Sequence, residues 1–188
     1  MDGIRIQAPF DDKTIERLHA GDMVLISGIL FGARDAAHAR LTDTISCGEP
    51  LPIPLQGQVI YYVGPAPAKP GYVIGPAGPT TSGRMDPYTV PLLQIGVKGF
   101  VGKGYRSPEI KTALVKHHAV YLATIGGAAA LLARHIKTSR IVAYPDLGTE
   151  AIYEFMVEDF PAIVVNDIYG ADAYASGREI YLRHKIGL

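Results

Sequence analysis

Apolar residues recur along this chain in short β-rich runs broken by glycine, proline and charge, with helical spacing between some of them. Ile4 and Ile6 alternate with polar neighbours and predict a short edge strand. Residues 11–19 predict a short helix halted by Gly21, and the Val/Leu/Ile run at 23–31 predicts a buried strand. Residues 34–41 follow as helix. The stretch 48–78 is too rich in Pro and Gly for helix, but 59–63 and 72–74 are candidate strands within it. Helix resumes over 87–95, with a kink expected at Pro91. After a short strand at 99–101, Ser107 caps a helix with Pro108 at its first position, running to about Lys116. Residues 120–125 predict a strand, 127–135 an alanine-rich helix and 141–143 a strand. A late strand pair, 152–157 and 162–165, is expected on either side of Asp159-Phe160-Pro161. The central alternation of strand and helix indicates an α/β fold, and the late pair a mixed sheet with flanking helices.

Composition narrows the reading. A chain of 188 residues suffices for a single domain with a substantial core, taken as 1–188. Hydrophobic residues make up 48% and charged residues 19%, a balance that suggests a buried partner surface. The 18 basic and 18 acidic residues cancel, so nothing draws the chain electrostatically to nucleic acid or an anionic membrane. With Cys47 alone, neither a disulfide framework nor a multi-thiolate metal site can be built. Met1-Asp2-Gly3 begins no signal-peptide pattern. The longest apolar stretch, 119–133, is too short for a membrane span and is split by Gly126-Gly127. The expectation is a cytoplasmic protein with no nucleic-acid or membrane partner.

The chemistry concentrates in Gly78-Pro79-Thr80-Thr81-Ser82-Gly83-Arg84-Met85-Asp86-Pro87. Asp86 is a suitable N-cap and Pro87 a suitable first helical residue, so the hydroxyls and Arg84 are expected just before a helix N-terminus, a place that favours a small anion. An ordinary glycine-rich turn is the alternative. Arg34 follows the 23–31 strand, and Lys103 lies between two glycines after the 99–101 strand. Ligands of open α/β sheets collect at the carboxyl ends of strands. Arg34, Arg84 and Lys103 gathered there suit a small dicarboxylate, Arg by a two-point grip and Lys as a point charge; taken singly, each could be a surface charge. Thr81 is a further candidate contact, although hydrogen bonds that shape the loop suit both Thr81 and Ser82. His38, four residues after Arg34, either touches the ligand, braces Arg34 or is a satisfied structural histidine. Gly83 and Asp86 support the loop. Asp146 and Glu150 form an acidic loop, solvated by default. Gly126-Gly127 lacks the residues of a phosphate loop.

The run G-P-T-T-S-G-R-M-D resembles the signature of the beta-type region of iron–sulfur hydro-lyases, the family of class I fumarases and L(+)-tartrate dehydratases. Arg34-Asp35-Ala36-Ala37-His38, Gly102-Lys103-Gly104 and Gly126-Gly127-Ala128-Ala129-Ala130 agree in order, over about residues 10–167. The resemblance implies a swivelling β/β/α domain. It implies a substrate proton handled by Thr80, activated by a carboxylate from a companion alpha subunit, and a [4Fe–4S] cluster on that subunit. The chain then works in a hetero-oligomer that reversibly dehydrates malate to fumarate. The alternatives are a tartrate dehydratase beta subunit and a non-catalytic dicarboxylate-binding or assembly module.

Overall fold

The computed structural model describes residues 3–186, with side chains described through residue 182. In chain order the elements are β1 (Ile4–Ala8), α1 (Asp12–Glu16), β2 (Met23–Gly32), α2 (Asp35–Ser46), β3 (Val59–Tyr61), α3 (Asp86–Gln94), β4 (Gly99–Gly102), α4 (Pro108–Lys116), β5 (Val120–Ala123), α5 (Ala129–His135), β6 (Ile136–Ala143), β7 (Ile152–Asn166) and α6 (Ala173–Ile186). Two 3₁₀ turns, Ser82–Met85 and Pro145–Glu150, complete them.

Strands β1 to β5 run parallel in chain order, and β7 pairs antiparallel with β2, β5 and β6. Ile163 sits opposite Met23 on one edge of β7 and Ala123 on the other. The circuit β2-β3-β4-β5-β7 therefore closes on itself. Alternation along the parallel strands feeds two cores. Tyr61, Val101, Val120 and Leu122 point inward toward Leu30, Phe155, Phe160 and Val164. Ile60, Tyr62, Phe100 and Tyr121 point outward toward Leu41, Leu92, Leu93, Ile110 and Leu114 of the helices. Strands buried on both faces need apolar residues at every position, which is why β3 to β5 read as continuous apolar runs. The layering is strand on strand on helix, a mixed α/β fold of the expected class.

Four local expectations are corrected. Residues 72–74 are not a strand: prolines and glycines crowd this loop, whose ends are joined by a single backbone bond, Ala66 N–H to the Pro76 carbonyl, at 3.0 Å. The late strand pair is one strand of 15 residues, β7. A bulge absorbs the break: Ile26 faces Phe160 and Gly28 faces Val157, so Ser27 meets two residues, and Asp159 takes a positive φ of 48°. Its N–H donates to the Ser27 hydroxyl at 3.1 Å instead of to the ladder. Helix α2 extends to Ser46 because Leu41 and Ile45 pack on the outer core and anchor its last turns, while the Thr42 and Thr44 hydroxyls turn back onto the His38 and Arg40 carbonyls. Strand β6 begins at Ile136, directly after α5. Helix α3 runs through Pro91, and α4 starts as expected, with Ser107 Oγ accepting from the Ile110 N–H. Helix α6, in a region without a sequence assignment, packs on β7. No helix among the described residues is long and apolar enough to cross a membrane.

Candidate functional site

Residues 79–82 lie between the ends of β3 and β4 almost as an added strand. The Thr80 N–H donates to the Tyr62 carbonyl at 2.7 Å, the Lys103 N–H to the Thr80 carbonyl at 3.2 Å, and the Ser82 N–H to the Lys103 carbonyl at 2.8 Å. This backbone lacing fixes Thr81 beside Lys103. The approach is close enough that a Cβ on Gly102 would lie 2.1 Å from Ser82 Oγ. Ser82 is buried; its hydroxyl donates to the Tyr121 hydroxyl at 2.9 Å, which donates in turn to the Gly104 carbonyl at 2.8 Å. The Thr80 loop and the Lys103 loop are thus tied through one tyrosine from β5.

The arginines are already paired. Arg34 Nη2 meets Glu150 Oε1 at 2.8 Å, while Glu150 Oε2 accepts the Ala36 N–H at 2.9 Å and so caps α2. Arg84 grips Asp35 through Nε (3.0 Å) and Nη2 (2.6 Å), and its Nη1 reaches Thr80 Oγ1 at 3.4 Å. Arg34, Asp35, Arg84, Thr80 and Lys103 are therefore linked through successive contacts, although Arg34 and Lys103 are far apart in sequence. The Lys103 ammonium has no ion pair or hydrogen bond among the described residues, and Lys103 is exposed. Thr81 and Gly83 are exposed too, and the Thr81 hydroxyl makes no hydrogen bond among the described residues.

Asp86 does not cap its own helix. The 3₁₀ turn Ser82–Met85 runs straight into α3, which leaves no extended residue at the junction. The Asp86 carboxylate crosses instead to the next loop, accepting from Arg106 Nε at 2.7 Å and from the Ser107 N–H at 2.8 Å. Arg106 carries a fully buried side chain. It donates also to the Tyr62 hydroxyl (2.9 Å) and Thr89 Oγ1 (2.5 Å), and lies 5.3 to 5.7 Å from the ring centres of Tyr121, Tyr62 and Phe100. Sequence reasoning missed Arg106, because one cation before a Ser-Pro helix start carries no local sign of burial. It missed Asp35 as the partner of Arg84 for a similar reason, since 49 positions separate them.

His38 is buried beneath this surface. Its Nδ1 donates to the Arg34 carbonyl at 2.9 Å, Nε2 has no partner, and the ring stands edge-on to Tyr62. Burial pulls the imidazole down to about 4, so the neutral ring is the folded form. The unfolded chain binds this proton first as pH falls, so the stabilisation is complete above about 6.5 and is lost toward 4. Between pH 7 and 5 this one group is expected to cost about 2 kcal/mol. Urea denaturation of the parent and of His38→Phe at both pH values checks it: the loss should shrink by that amount in the variant, and an identical loss would exclude His38 as its source.

Thr81, Arg84 and Lys103 lie on open surface, with Thr80 half-buried among them. Two cavities, of about 610 and 420 Å³, are formed by the 65–76 loop, the first against α5 and the start of β6 and the second against β6, the Pro145–Glu150 turn and Tyr153, and none of Arg34, Thr80, Thr81, Arg84 or Lys103 lines either. Exposed Tyr105 and Ile125 flank the Lys103 loop. The chain's donors do not fit an iron–sulfur cluster. Such a cluster needs several thiolates, the one cysteine, Cys47, is exposed at the end of α2, and no three metal-binding side chains converge among the described residues.

Several known proteins are similar to this chain in sequence. Fumarate hydratase 2 of Leishmania major is 41% identical over 177 residues, which cover 92% of this chain and 31% of that protein. The anaerobic class I fumarate hydratase of Escherichia coli K12 is 46% identical over 152 residues, 79% of this chain and 28% of that protein. The chain thus spans about a third of the length of these relatives. The "Putative L(+)-tartrate dehydratase subunit beta" of Methanocaldococcus jannaschii is 35% identical over 185 residues, 94% of this chain and 95% of that protein. The family described as Fumarase C-terminus matches residues 2–177, a span that takes in both laced loops and the paired arginines, and this chain belongs to it.

Proposed function

We propose that this chain is the beta subunit of a two-subunit hydro-lyase, lending substrate-binding residues to an active site completed by an alpha-type companion. The observation that carries the reading is the open cluster of Thr80, exposed Arg84 and exposed Lys103, whose ammonium has no partner among the described residues, with exposed Tyr105 and Ile125 beside it. Small-molecule sites are ordinarily concave and largely enclosed, so a polar cluster of this kind calls for a second surface to cover it. Reversible dehydration of malate to fumarate is the first reading, supported by fumarate hydratases at 46% and 41% identity. Dehydration of tartrate to oxaloacetate is the second, supported by the relative that this chain matches over 95% of its length.

In this reading Arg34, Arg84, Lys103 and Thr81 hold the substrate carboxylates. A C–H beside a carboxylate is a weak acid, and cations around that carboxylate stabilise the negative charge that builds as the proton leaves. Thr80 moves the proton. A hydroxyl is a poor base unless a neighbour favours its ionised form, and the Arg84 guanidinium beside Oγ1 acts in that direction. The carboxylate that activates Thr80 comes from the companion. A [4Fe–4S] cluster belongs to the companion as well, and when bound it would supply the Lewis acid that takes the hydroxide leaving the neighbouring carbon.

Purified alone, the chain is expected to convert neither malate nor tartrate, and to show no iron–sulfur absorbance after incubation with iron and sulfide. Co-expression with the alpha-type companion should restore conversion of one of the two. A stable cluster on this chain by itself would overturn the subunit assignment. A two-chain assembly with a full cluster but no activity on either substrate would favour a non-catalytic dicarboxylate-binding or assembly module.

A further inference from the structure

We infer that Asp35 is a positioning residue, which aims Arg84 at the substrate and at Thr80; this rests on the reading of Arg84 as a substrate contact. The geometry divides the guanidinium into two sides. Nε and Nη2 are occupied by the two Asp35 oxygens at 3.0 and 2.6 Å, and Nη1 is turned to Thr80 Oγ1 at 3.4 Å. Without that grip Arg84, whose side chain is 52% exposed, is a long flexible cation free to sample many rotamers.

Arg84 is held at both ends. Its backbone belongs to the 3₁₀ turn tied by Ser82 to Tyr121 and laced to Lys103. Its tip is held by Asp35, the first residue of α2, where the helix dipole favours a carboxylate. That helix start is braced in turn. Glu150 accepts the Ala36 N–H and pairs with Arg34, and the turn carrying Glu150 is anchored by the two-point Arg40–Asp146 pair at 2.9 and 2.8 Å. A chain of contacts thus runs from the Pro145–Glu150 turn through α2 and Asp35 to Arg84 and Thr80. An ion pair this exposed adds little to stability, so its consequence is orientation and its removal leaves the fold intact.

Two measurements test the inference. In the 188-residue chain, Asp35→Asn should leave the melting temperature within about 2 °C of the parent. In ¹⁵N-resolved spectra the Arg84 Nε–H, assigned by its loss in Arg84→Lys, should move from a distinct, slowly exchanging signal to the position of unpaired arginines. An Nε–H unchanged in Asp35→Asn overturns the inference.

In the assembly with the companion, Arg84→Lys should lower kcat/KM by about ten- to a hundred-fold, and Asp35→Asn by about ten-fold. The Asp35→Asn loss should fall mainly on KM. The double variant should be no worse than Arg84→Lys alone, because Asp35 acts through Arg84. Asp35→Glu, which keeps the charge, should recover part of the loss. A merely structural Asp35 would give multiplicative losses and a lowered melting temperature, and that result overturns the inference. Full activity in Asp35→Asn with impaired Arg84→Lys overturns the inference alone. Full activity in Arg84→Lys overturns the substrate contact itself, and the inference with it.

Discussion

Replacing Thr80 with Val is expected to lower kcat by roughly two to four orders of magnitude, the usual contribution of a positioned acid–base group. Val keeps the branched shape, and the contacts that seat Thr80 are backbone ones, to the Tyr62 carbonyl and the Lys103 N–H, so the loop should stay in place. What disappears is Oγ1, the atom that faces Arg84. KM should change little, since the lost interaction belongs to the transition state rather than to ground-state binding. Thr81→Val is the internal control. Thr81 is exposed and lies beside Lys103, so its replacement should raise KM several-fold and spare most of kcat. Steady-state kinetics on the two-chain assembly, with cluster content measured in each variant, distinguishes them. Equal, small effects at both positions would mean that a group on the companion moves the proton.

The largest effect on stability is expected at Arg106. Arg106→Met fills much of the same volume but leaves the Asp86 carboxylate, the Tyr62 hydroxyl and Thr89 without their shared donor. Breaking one side of a buried ion pair costs about 3–5 kcal/mol, which for a domain of this size lowers the melting temperature by roughly 6–20 °C. Arg106→Lys keeps one charge but cannot reach three acceptors in one plane, so it should fall between the two. Adding Asp86→Asn to Arg106→Met should recover part of the loss by removing the stranded charge. Calorimetry on the four chains decides the matter. A melting temperature for Arg106→Met within about 2 °C of the parent would mean that the cage of rings around Arg106 holds no net energy.

The stability and activity predictions meet in one place. Asp86 and Arg106 join the start of α3 to the loop before α4, and Ser82 with Tyr121 joins the Thr80 loop to the Lys103 loop. These polar ties are buried under a site that is open. On the proposed reading this surface accepts a substrate and a second protein, which asks for fixed geometry without an enclosing cavity, and the hydrogen bonds beneath it supply that geometry.

Much was legible in the amino-acid sequence by itself. The apolar runs at Met23, Val59, Gly99 and Val120 marked strands, because a strand buried on both faces can tolerate no polar position. Ser107-Pro108 marked a helix start, and the Gly-Pro-Thr-Thr-Ser-Gly-Arg run marked the loop on which the proposed site is built. These signals are local: each is a period, a cap or a dihedral preference read within a few residues. What only the tertiary structure decided was which charge meets which. Arg34 pairs with Glu150 across 116 positions, Arg84 with Asp35 across 49, and Asp86 turns from its own helix to Arg106 across 20. The joining of 152–157 to 162–165 in one bulged strand was decided in the same way, by β2 alongside it, and so was the closure of β7 onto β5. Ion pairing and strand pairing depend on where distant loops and edges come to rest, and that follows from packing the two cores rather than from any local pattern. The sequence determined most of the elements and the family to which the chain belongs. The packing determined that two of its three candidate cations are held by carboxylates and that Lys103 stands alone among the described residues.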